Sequence, residues 1–568
     1  MSLFSTLQIA SNSLQANQIG LQVVGQNIAN DTTPGYSREV VNYVPAPTQQ
    51  IGTIALGTGV QVQGVVQVVD QYLEERLRGA NSDVANSSQQ SQTYQNLESI
   101  VGALQNNSID SGMNSFFSSI GDILNQPQST STRNLAVLQG QTLANNINNM
   151  ATRVTQARSD LNDQVAGVTS NINQLLTQIT GLNTKIVTME GGNSETSQAV
   201  GLRDQRAQDL TQLSNLVGIT VHEQPDGSDN VYAGGDYLVF EGTARQVETT
   251  YQESNGLTAA NISIVGENSQ LKAQSGQLAG LITSRDQILG GYLDQLNGFA
   301  GTLANEFNKA FSQGQGLTGY TSLTSTYPVT SASAPLDAAG LAFTPVNGSF
   351  QVQTLDPQTG ATTTTTIQVD LNGLDKNETS LNSVASQINA INGLSASVSP
   401  SGNLTINTTS PGLQFSFGND TSGALAALGL NTFFTGSTAA DLGVNQALVS
   451  NPAAFAASTA GIGADTTNAV TLANFINQPL ASQNGQTLGQ LNDQIVADVT
   501  QGSAVAQSVA TGDGSFQQTL QGQQTAVSGV SIDQEATEMI TLQQTYQASA
   551  KLISTVNTLL NALMNIQL

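Results

Sequence analysis

The chain has 568 residues, contains no cysteine and carries a net charge of −25 from 15 basic and 40 acidic side chains. Without cysteine there are no disulfide bonds, thiolate metal sites or thiol catalysis, and the single histidine, His222, leaves little material for a zinc or acid–base centre. The negative charge would repel phosphate backbones and anionic lipid heads, so we expect neither nucleic acid nor membrane as a partner.

The length exceeds what one hydrophobic core fills, so we expect several structural regions. No stretch approaches the roughly 18 consecutive apolar residues of a membrane span. The opening MSLFSTLQIASNSLQ lacks the basic and apolar regions of a cleaved secretory signal. The protein is therefore expected to stay in the cytoplasm or to leave by a route that does not read such a signal.

The N-terminal segment has apolar residues at alternating steps of four and three, which predicts a helix with a coiled-coil seam. The seam residues are Leu3, Leu7, Leu14, Leu21, Val24 and Ile28. The helix should stop in NIANDTTPGYSRE, residues 27 to 39, where Asn27 and Asn30 can draw hydrogen bonds from the backbone. Pro34 removes a backbone donor and biases Thr33 toward an extended conformation, and Gly35 lets the chain turn.

Helical patterns continue through the next part of the chain. The segment FFSSIGDILNQP predicts a helix ended by Pro127, and apolar residues then repeat every seven positions from Ile147 to Met189. The second pattern predicts a helix from about Ser131 to the GGN at 191–193, roughly 90 Å long. A shorter helix follows at about 199–218, and another amphipathic helical segment at 276–311.

Two intervals change to the alternating pattern of β-strands. The first, from Ile219 to about Val265, has turn signals at Pro225-Asp226-Gly227 and at Gly234-Gly235. The second begins with a hairpin at 349–371, with its turn at Asp356-Pro357 and Gly360, followed by a short helix and further strands. Residues 430–480 have no clear pattern, except that LANFINQP predicts a helix.

The C-terminal segment repeats the heptad pattern of the N-terminus. Its seam residues are Ile532, Met539, Leu542, Tyr546, Ile553, Val556, Leu560 and Leu563. Two matching heptad segments at opposite ends of one chain predict that the termini pair with each other. Such a pair would be marginal alone, so we expect it to become fully ordered against further copies. Periodicity alone fits equally well an ordinary coiled coil that closes one chain or a simple dimer.

The predicted fold is multidomain α+β, with a long helical bundle or coiled-coil core built from both termini and two inserted smaller β-rich domains. The expected regions are an N-terminal coil at 1–35 paired with a C-terminal coil at 530–568, a helical rod domain at 36–215 completed by 277–320 and 480–529, a small β domain at 216–276 and an α+β outer domain at 321–480.

The motif NIANDTTPGYSRE resembles the N-terminal signature of bacterial flagellar axial proteins, and Tyr36-Ser37-Arg38 after Pro34-Gly35 is similar to the version found in hook-associated members of that family. Later segments, among them LRDQRAQDLTQLSNLVGITV and SGVSIDQEATEMITLQQTYQASAKLISTVNTLLNAL, resemble the same family in the same order. The resemblance covers about 1–320 and 480–568.

The resemblance implies a structural subunit at the junction of hook and filament, extracellular and exported without a cleaved signal. It implies as partners other copies in a ring, the hook protein, the second junction hook-associated protein and an export chaperone that binds the C-terminal region. Asn27, Asn30, Thr33, Pro34, Gly35, Tyr36 and Arg38 would form a family motif at a subunit interface. Arg38 would pair with an acidic residue of the adjacent subunit or lie solvated. The alternatives are a hook or rod protein, or a secreted adhesin or surface-layer protein.

No segment suggests an enzyme, a cofactor site or a metal site. His222 lies in a predicted strand without an evident nucleophile, so we assign it no role. PDGSDN at 225–230 lacks the spacing and terminal Glu of a calcium loop and is interpreted as a turn. GTGVQVQG at 57–64 is interpreted as a strand with a turn. Arg203, Asp204 and Arg206 are expected to form surface or interhelical pairs.

Overall fold

The computed structural model describes residues 3–51, 54–102, 108–192, 199–254, 256–267, 270–374 and 378–566. The chain forms two compact units. The first contains residues 1–92, 159–285 and 504–568, and the second contains residues 93–158 and 286–503. Long helices from both termini and several small sheets confirm the predicted multidomain α+β fold class.

The α-helices account for most of the regular structure. They are α1 (Leu3–Ala29), α2 (Gln71–Gly102), α3 (Ile109–Asn125), α4 (Thr130–Glu190), α5 (Val200–Leu216), α6 (Gly276–Thr283), α7 (Gly290–Phe311), α8 (Leu381–Asn389), α9 (Ala424–Leu428), α10 (Gln446–Ser450), α11 (Thr467–Ala473), α12 (Leu488–Ser528) and α13 (Ile532–Ile566). A π-helical turn, Ser284–Leu289, joins α6 to α7.

The strands form small antiparallel sheets. They are β1 (Glu39–Pro45), β2 (Gln49–Ile51), β3 (Ile54–Leu56), β4 (Val60–Gln67), β5 (Ile219–Glu223), β6 (Asp229–Ala233), β7 (Asp236–Phe240), β8 (Thr243–Ala244), β9 (Val247–Ser254), β10 (Leu257–Ile264), β11 (Ser322–Thr324), β12 (Gly348–Asp356), β13 (Ala361–Val369), β14 (Leu394–Val398), β15 (Leu404–Thr408), β16 (Gln414–Gly418), β17 (Phe434–Thr435) and β18 (Gly443–Val444). The larger sheets have the strand orders β5-β6-β7-β8, β11-β15-β14 and β13-β12-β16.

The long central helix agrees with its sequence pattern. The heptad predicted a helix from about Ser131 to the glycines at 191–192, and α4 spans Thr130–Glu190. The heptad residues Ile147, Val154, Leu161, Val168, Leu175 and Leu182 are buried. Met189, the residue before the last of α4, is exposed, whereas Ile186 and Glu190 in the same part of the helix are buried.

In the first unit, the hairpin of β1 and β4 was not predicted as such. It lies in the segment that the sequence analysis treated as the start of a helical rod, where only 57–64 was interpreted as a strand. β1 pairs antiparallel with β4, with a register shift between Asn42 and Tyr43. Valine-rich alternation in both strands explains the structure, because β-branched side chains favour a pleated surface. The hairpin packs along α1.

In the second unit, aromatic side chains dominate the core. The fully buried phenylalanines include Phe116, Phe307, Phe311, Phe433, Phe434 and Phe455, with ring centroids mostly 5–6 Å apart. The predicted hairpin at 349–371 is confirmed by β12 and β13, and Gly360 N donates to Asp356 O at 2.8 Å in its turn. The predicted helix in LANFINQP is present as the end of α11 and a 3-10 turn at Phe475–Asn477.

No helix within the described ranges combines the length and apolar character needed to cross a membrane.

Candidate functional site

The exit segment, defined as residues 30–39, leads the chain away from the end of α1. The helix ends at Ala29, which confirms the predicted stop. Beyond it, Thr33 N donates to Asn30 O at 2.9 Å and Thr33 Oγ1 donates to Asn30 Oδ1 at 3.1 Å. Gly35 has a φ of +78°, a left-handed conformation that glycine adopts at little cost. Thr33, Pro34 and Gly35 are exposed, so this turn faces solvent in a single chain.

Asn27 joins the exit segment to both terminal helices. Its side chain is 1% exposed. Nδ2 donates to Glu39 O at 2.9 Å and to Glu535 Oε2 at 3.0 Å. Oδ1 accepts from Tyr36 Oη at 2.8 Å and from Glu39 N at 3.0 Å. Both donors and both lone pairs of the amide are therefore used, which is the full capacity of an asparagine side chain.

Arg38 forms an ion pair within the chain. Its Nε donates to Glu535 Oε1 at 2.7 Å, and the Glu535 side chain is 1% exposed. Its backbone N donates to Ser528 O at 2.8 Å. A buried carboxylate without a cation would be costly, so Arg38 neutralises Glu535 while Asn27 binds the second oxygen. Both Asn27 and Arg38 therefore bind residues of their own chain. Their place at an interface between subunits stays a prediction.

Two carboxyl groups beside this network have raised pKa values. Glu39 is 3% exposed, and its Oε1 has no hydrogen-bond partner among the described residues. Burial, followed by the negative charge of Asp204, raises the pKa of Glu39 to about 7. Burial raises the pKa of Asp204 to about 6, although Ser37 N at 3.4 Å and Gln67 Nε2 at 2.5 Å donate to it. Burial, with the charge of Glu39 next, also raises the pKa of Tyr36. Folding therefore favours the protonated forms of Glu39 and Asp204.

α1 and α13 pack against each other as an antiparallel pair, as the sequence analysis expected for the two termini. The register is defined by Ser13 beside Ser549, Gly20 beside Leu542 and Asn27 beside Glu535. Successive pairs are seven residues apart on each helix. A Cβ on Gly20 would lie 3.0 Å from Leu542 Cδ1 and 2.6 Å from Tyr43 Oη, so the missing side chain makes room for both neighbours.

Most of the predicted α13 seam lies on the side toward α1. Leu542 and Val556 are buried, and the half-buried members are Met539, Tyr546, Ile553 and Leu560. Ile532 and Leu563 are exposed at 52% and 55% and lie outside the contact. The antiparallel register explains both exceptions, because it carries Ile532 beyond Ala29 and Leu563 beyond Leu3, the two ends of α1.

The face of α1 that contacts α13 differs from the predicted seam. Val24 is buried, whereas Leu3, Leu7, Leu14, Leu21 and Ile28 are only half-buried. The residues that face α13 are small or polar, namely Ser13, Gly20 and Asn27. α1 also contacts the β1–β4 hairpin, where Asn12 Nδ2 donates to Thr58 O at 2.9 Å. α1 packs closely against both α13 and the β1–β4 hairpin. Close packing requires small side chains at the contact with α13, so the leucines of α1 lie beside that contact.

Sequence reasoning missed the polar members of the contact. Glu535 and Ser549 lie seven residues on either side of Leu542, but an apolar heptad search passes over them. The same spacing of Ser13, Gly20 and Asn27 on α1 was the available signal.

Beside its contact with α1, α13 carries exposed apolar residues without a partner among the described residues. Leu552, Leu559 and Leu563 are exposed at 40%, 50% and 55% and fall within about 40° around the helix. We call these three residues the outer stripe. Phe4, at the start of α1, is also exposed. Exposed apolar side chains grouped in this way are typical of protein-interaction surfaces.

The other candidate residues lie outside this contact. His222 is exposed on β5, with its ring centroid 5.7 Å from that of Tyr232. Arg203 bridges Glu190 and Glu223 at 2.8 and 2.6 Å. The pair with Glu190 joins α5 to α4, which agrees with the interhelical alternative of the sequence analysis. No group of three or more metal-ligating side chains is found in the described part of the chain.

Arg206 lies in an interhelical contact, one of the two expected alternatives, and not at the surface. It is 4% exposed, and its Nε lies 2.8 Å from Asp229 Oδ2. Its NH1 donates to Asn183 Oδ1 at 2.8 Å, which ties α5 to α4 and β6 in the first unit. The residue therefore stabilises the fold of that unit.

Comparison with known families gives two matches. Residues 94–323 match the family model of the flagellar hook-associated protein FlgK helical domain. Residues 523–566 match the family model of the flagellar basal body rod FlgEFG protein C-terminal region, and this range includes the whole of α13.

Curated relatives and one solved structure agree with these matches. The chain is 25% identical to flagellar hook-associated protein 1 of Escherichia coli (strain K12), over 99% of this chain and 100% of that protein. It is also 25% identical to flagellar hook-associated protein 1 of Bacillus subtilis (strain 168), over 55% of this chain and 67% of that protein. The flagellar hook junction protein FlgK from Burkholderia pseudomallei is similar in fold, with a TM-score of 0.50 and 15% identity over 80% of this chain and 100% of that one.

Proposed function

We propose, from the similarity to flagellar hook-associated protein 1, that the chain is a structural subunit at the junction between the hook and the filament of a bacterial flagellum. The observation that carries this proposal is the state of the terminal helices. α13 contacts α1 and leaves the outer stripe exposed beside that contact. A structural subunit that packs among copies of itself requires a surface of this kind.

The terminal helices supply the assembly mechanism. Fully burying one exposed leucine contributes about 2 kcal/mol, and the three residues of the outer stripe are about half exposed, so covering them contributes roughly 3 kcal/mol per subunit before ordering costs. Since helix pairs of this size are marginal alone, the neighbouring copies would complete the ordering of both termini in a ring. Assembly and folding of the terminal coil would then be one coupled process, which discourages premature polymerisation.

The partners follow from the same proposal. The match of α13 to the family model of the flagellar basal body rod FlgEFG protein C-terminal region supports assembly with other flagellar axial proteins. The specific partners proposed are the hook protein, the second junction hook-associated protein and an export chaperone. The chaperone would cover the outer stripe until the subunit leaves the cell without cleavage of a signal, and the assembled protein would be extracellular.

Deletion of the gene in the native organism tests the proposed function. The deletion strain is expected to keep its hooks, to lack filaments and to release filament subunits into the medium, because the junction is missing. Electron microscopy and immunoblotting of the medium measure these effects, and the wild-type gene supplied in trans should restore filaments.

A deletion strain with normal filaments contradicts the proposal. Loss of the hooks themselves would favour a hook or rod protein. Normal flagella together with lost surface attachment would favour an adhesin.

A further inference from the structure

A second exposed patch lies in the first unit, away from the α1–α13 contact. It consists of Tyr72 and Arg76 on α2 and Phe516 on α12, and we call it the α2–α12 patch. Tyr72 is 69% exposed and Phe516 is 49% exposed, while Arg76 is also exposed. Three large side chains that favour interfaces are therefore grouped at the surface of an otherwise small and polar helix pair.

The α2–α12 patch is held by a packed helix contact beneath it. Leu73 and Leu77 of α2 and Leu520 of α12 form a buried cluster with Ala80. Gln517 Nε2 donates to Asn81 Oδ1 at 2.6 Å across the same contact. Because neighbouring turns of both helices are fixed, the patch is preorganised for binding.

Arg76 indicates which chemical group the α2–α12 patch binds. Its guanidinium carbon lies 5.7 Å from the Tyr72 ring centroid and 5.8 Å from that of Phe516, so the cation is held between two aromatic side chains. Within the described ranges, Arg76 forms no ion pair. An arginine held between exposed rings keeps its guanidinium donors available for a carboxylate.

An apolar stripe on α12 extends the patch. Val505, Val509 and Val527 are exposed and lie within about 40° of Phe516 around the helix. The stripe runs beside the α2 contact over about 33 Å of helix. A partner that covers it must therefore be elongated, as a neighbouring helix is.

We infer that the α2–α12 patch is a contact between neighbouring copies of this chain, in which Arg76 binds a carboxylate on a helical surface of the next copy. The inference rests on the proposed function and adds an interface separate from the terminal coil. The charge of the chain favours a second copy as the occupant, since each copy has 40 acidic and only 15 basic residues. Arg76 then supplies a local attraction at this contact between two copies that each carry a net charge of −25.

Photo-crosslinking in assembled flagella tests this inference. A photoreactive phenylalanine analogue replaces Phe516 in the full chain, supplied to the deletion strain, and the isolated flagella are irradiated. The expected product is an adduct of two copies of the 58.9 kDa chain. The same analogue in place of Tyr72 should give the same product, which covers a variant that fails to fold at either position.

Three control variants complete the test. The analogue at Tyr251, which is 62% exposed on β9, should give no adduct of two copies. With the analogue at 516, Arg76→Glu should lower the adduct yield about tenfold. Arg245→Glu should leave the yield unchanged, because Arg245 also stacks on an exposed ring, that of Tyr237 at 4.3 Å, but already pairs with Glu267.

The outcomes separate the inference from the proposed function. If the chain is present in flagella but neither position 516 nor position 72 gives an adduct of two copies, or both give an adduct with a protein of another mass, the inference is overturned and the proposed function stands. If the wild-type chain is absent from flagella, the proposed function is overturned and the inference with it.

Discussion

No other side chain can make all four hydrogen bonds of Asn27. Its amide makes four hydrogen bonds, and they connect the end of α1, the exit segment and α13. Asn27→Ala would leave Glu535 with one bonding partner fewer and the peptide of Glu39 unpaired in a buried position. We expect the first unit to lose about 2–4 kcal/mol of stability, because each buried unsatisfied group costs about 1–3 kcal/mol.

Chemical denaturation of the purified chain, followed by hydrogen exchange at 532–540, measures this loss. Asn30→Ala is the matched control, since Asn30 belongs to the same motif but its side chain bonds only local groups in an exposed position. Asn30→Ala should lower the free energy of unfolding by less than about 1 kcal/mol. Equal effects of the two variants would contradict the central role of Asn27.

Glu39 makes the stability of this region depend on pH. Its pKa is about 7 in the folded chain against the ordinary 4.5, so the folded state keeps a proton that the unfolded state loses. The stabilisation is complete below the ordinary value and is lost as pH rises toward 7. Glu39→Gln keeps the neutral form at every pH. We expect its thermal midpoint to match the wild type near pH 4.5 and to exceed it by a few degrees at about pH 8.

Differential scanning calorimetry over this pH range measures the effect. Glu248→Gln, at an exposed position on β9, is the control and should leave the pH profile unchanged. Asp204→Asn should weaken the pH dependence, because Asp204 adds to the burial effect on Glu39. Parallel wild-type and Glu39→Gln profiles would show that Glu39 is charged in the folded chain.

At the scale of helices and strands, Gly20 sets the distance between α1 and α13. A larger side chain at position 20 must displace Leu542 and Tyr43, whereas a Cβ on Gly25 would meet no atom within 4 Å. Gly20→Leu is therefore expected to separate the two helices, with at least a tenfold faster hydrogen exchange in α13. Gly25→Leu should leave exchange unchanged or slow it, since leucine has about 0.8 kcal/mol better helix propensity than glycine. Unchanged exchange in Gly20→Leu would refute the contact.

The periodic elements were predictable because their signal is local. The heptads located α1, α4 and α13, and Pro34 and Gly35 located the end of α1. The partner of each face was not predictable, because it depends on residues far apart in sequence. Gly20 and Glu535 are small or polar, so an apolar pattern omits them, and their importance comes from Leu542 and Asn27 on the opposite helix.

Arg38 illustrates the same limit for the candidate site. Its charge suggested an ion pair, but the sequence offered 40 acidic partners within the chain and as many in each neighbouring copy. Glu535, almost 500 residues away, became the partner because α13 packs antiparallel to α1. The register of α1 and α13 therefore determines which acidic residue lies beside Arg38.

For the whole molecule, the terminal coil has two functions that can be separated by mutation. The contact between α1 and α13 stabilises one chain, whereas the outer stripe stabilises that chain only when other copies cover it. Replacing the outer stripe should therefore leave folding intact and abolish assembly, because half-exposed side chains contribute little to the stability of the free subunit. This separation would not hold if the exposed leucines packed within the isolated chain.

The triple variant Leu552→Gln, Leu559→Gln, Leu563→Gln tests this separation in the deletion strain. We expect a folded chain with a thermal midpoint within about 3 °C of the wild type, no filaments, and filament subunits released into the medium. The control replaces Val346, Leu374 and Val470 with Gln, three apolar residues exposed at 59%, 86% and 47% in the second unit. It removes a similar apolar area and should restore filaments. If the outer-stripe variant also restores them, the terminal coil assembles through other residues.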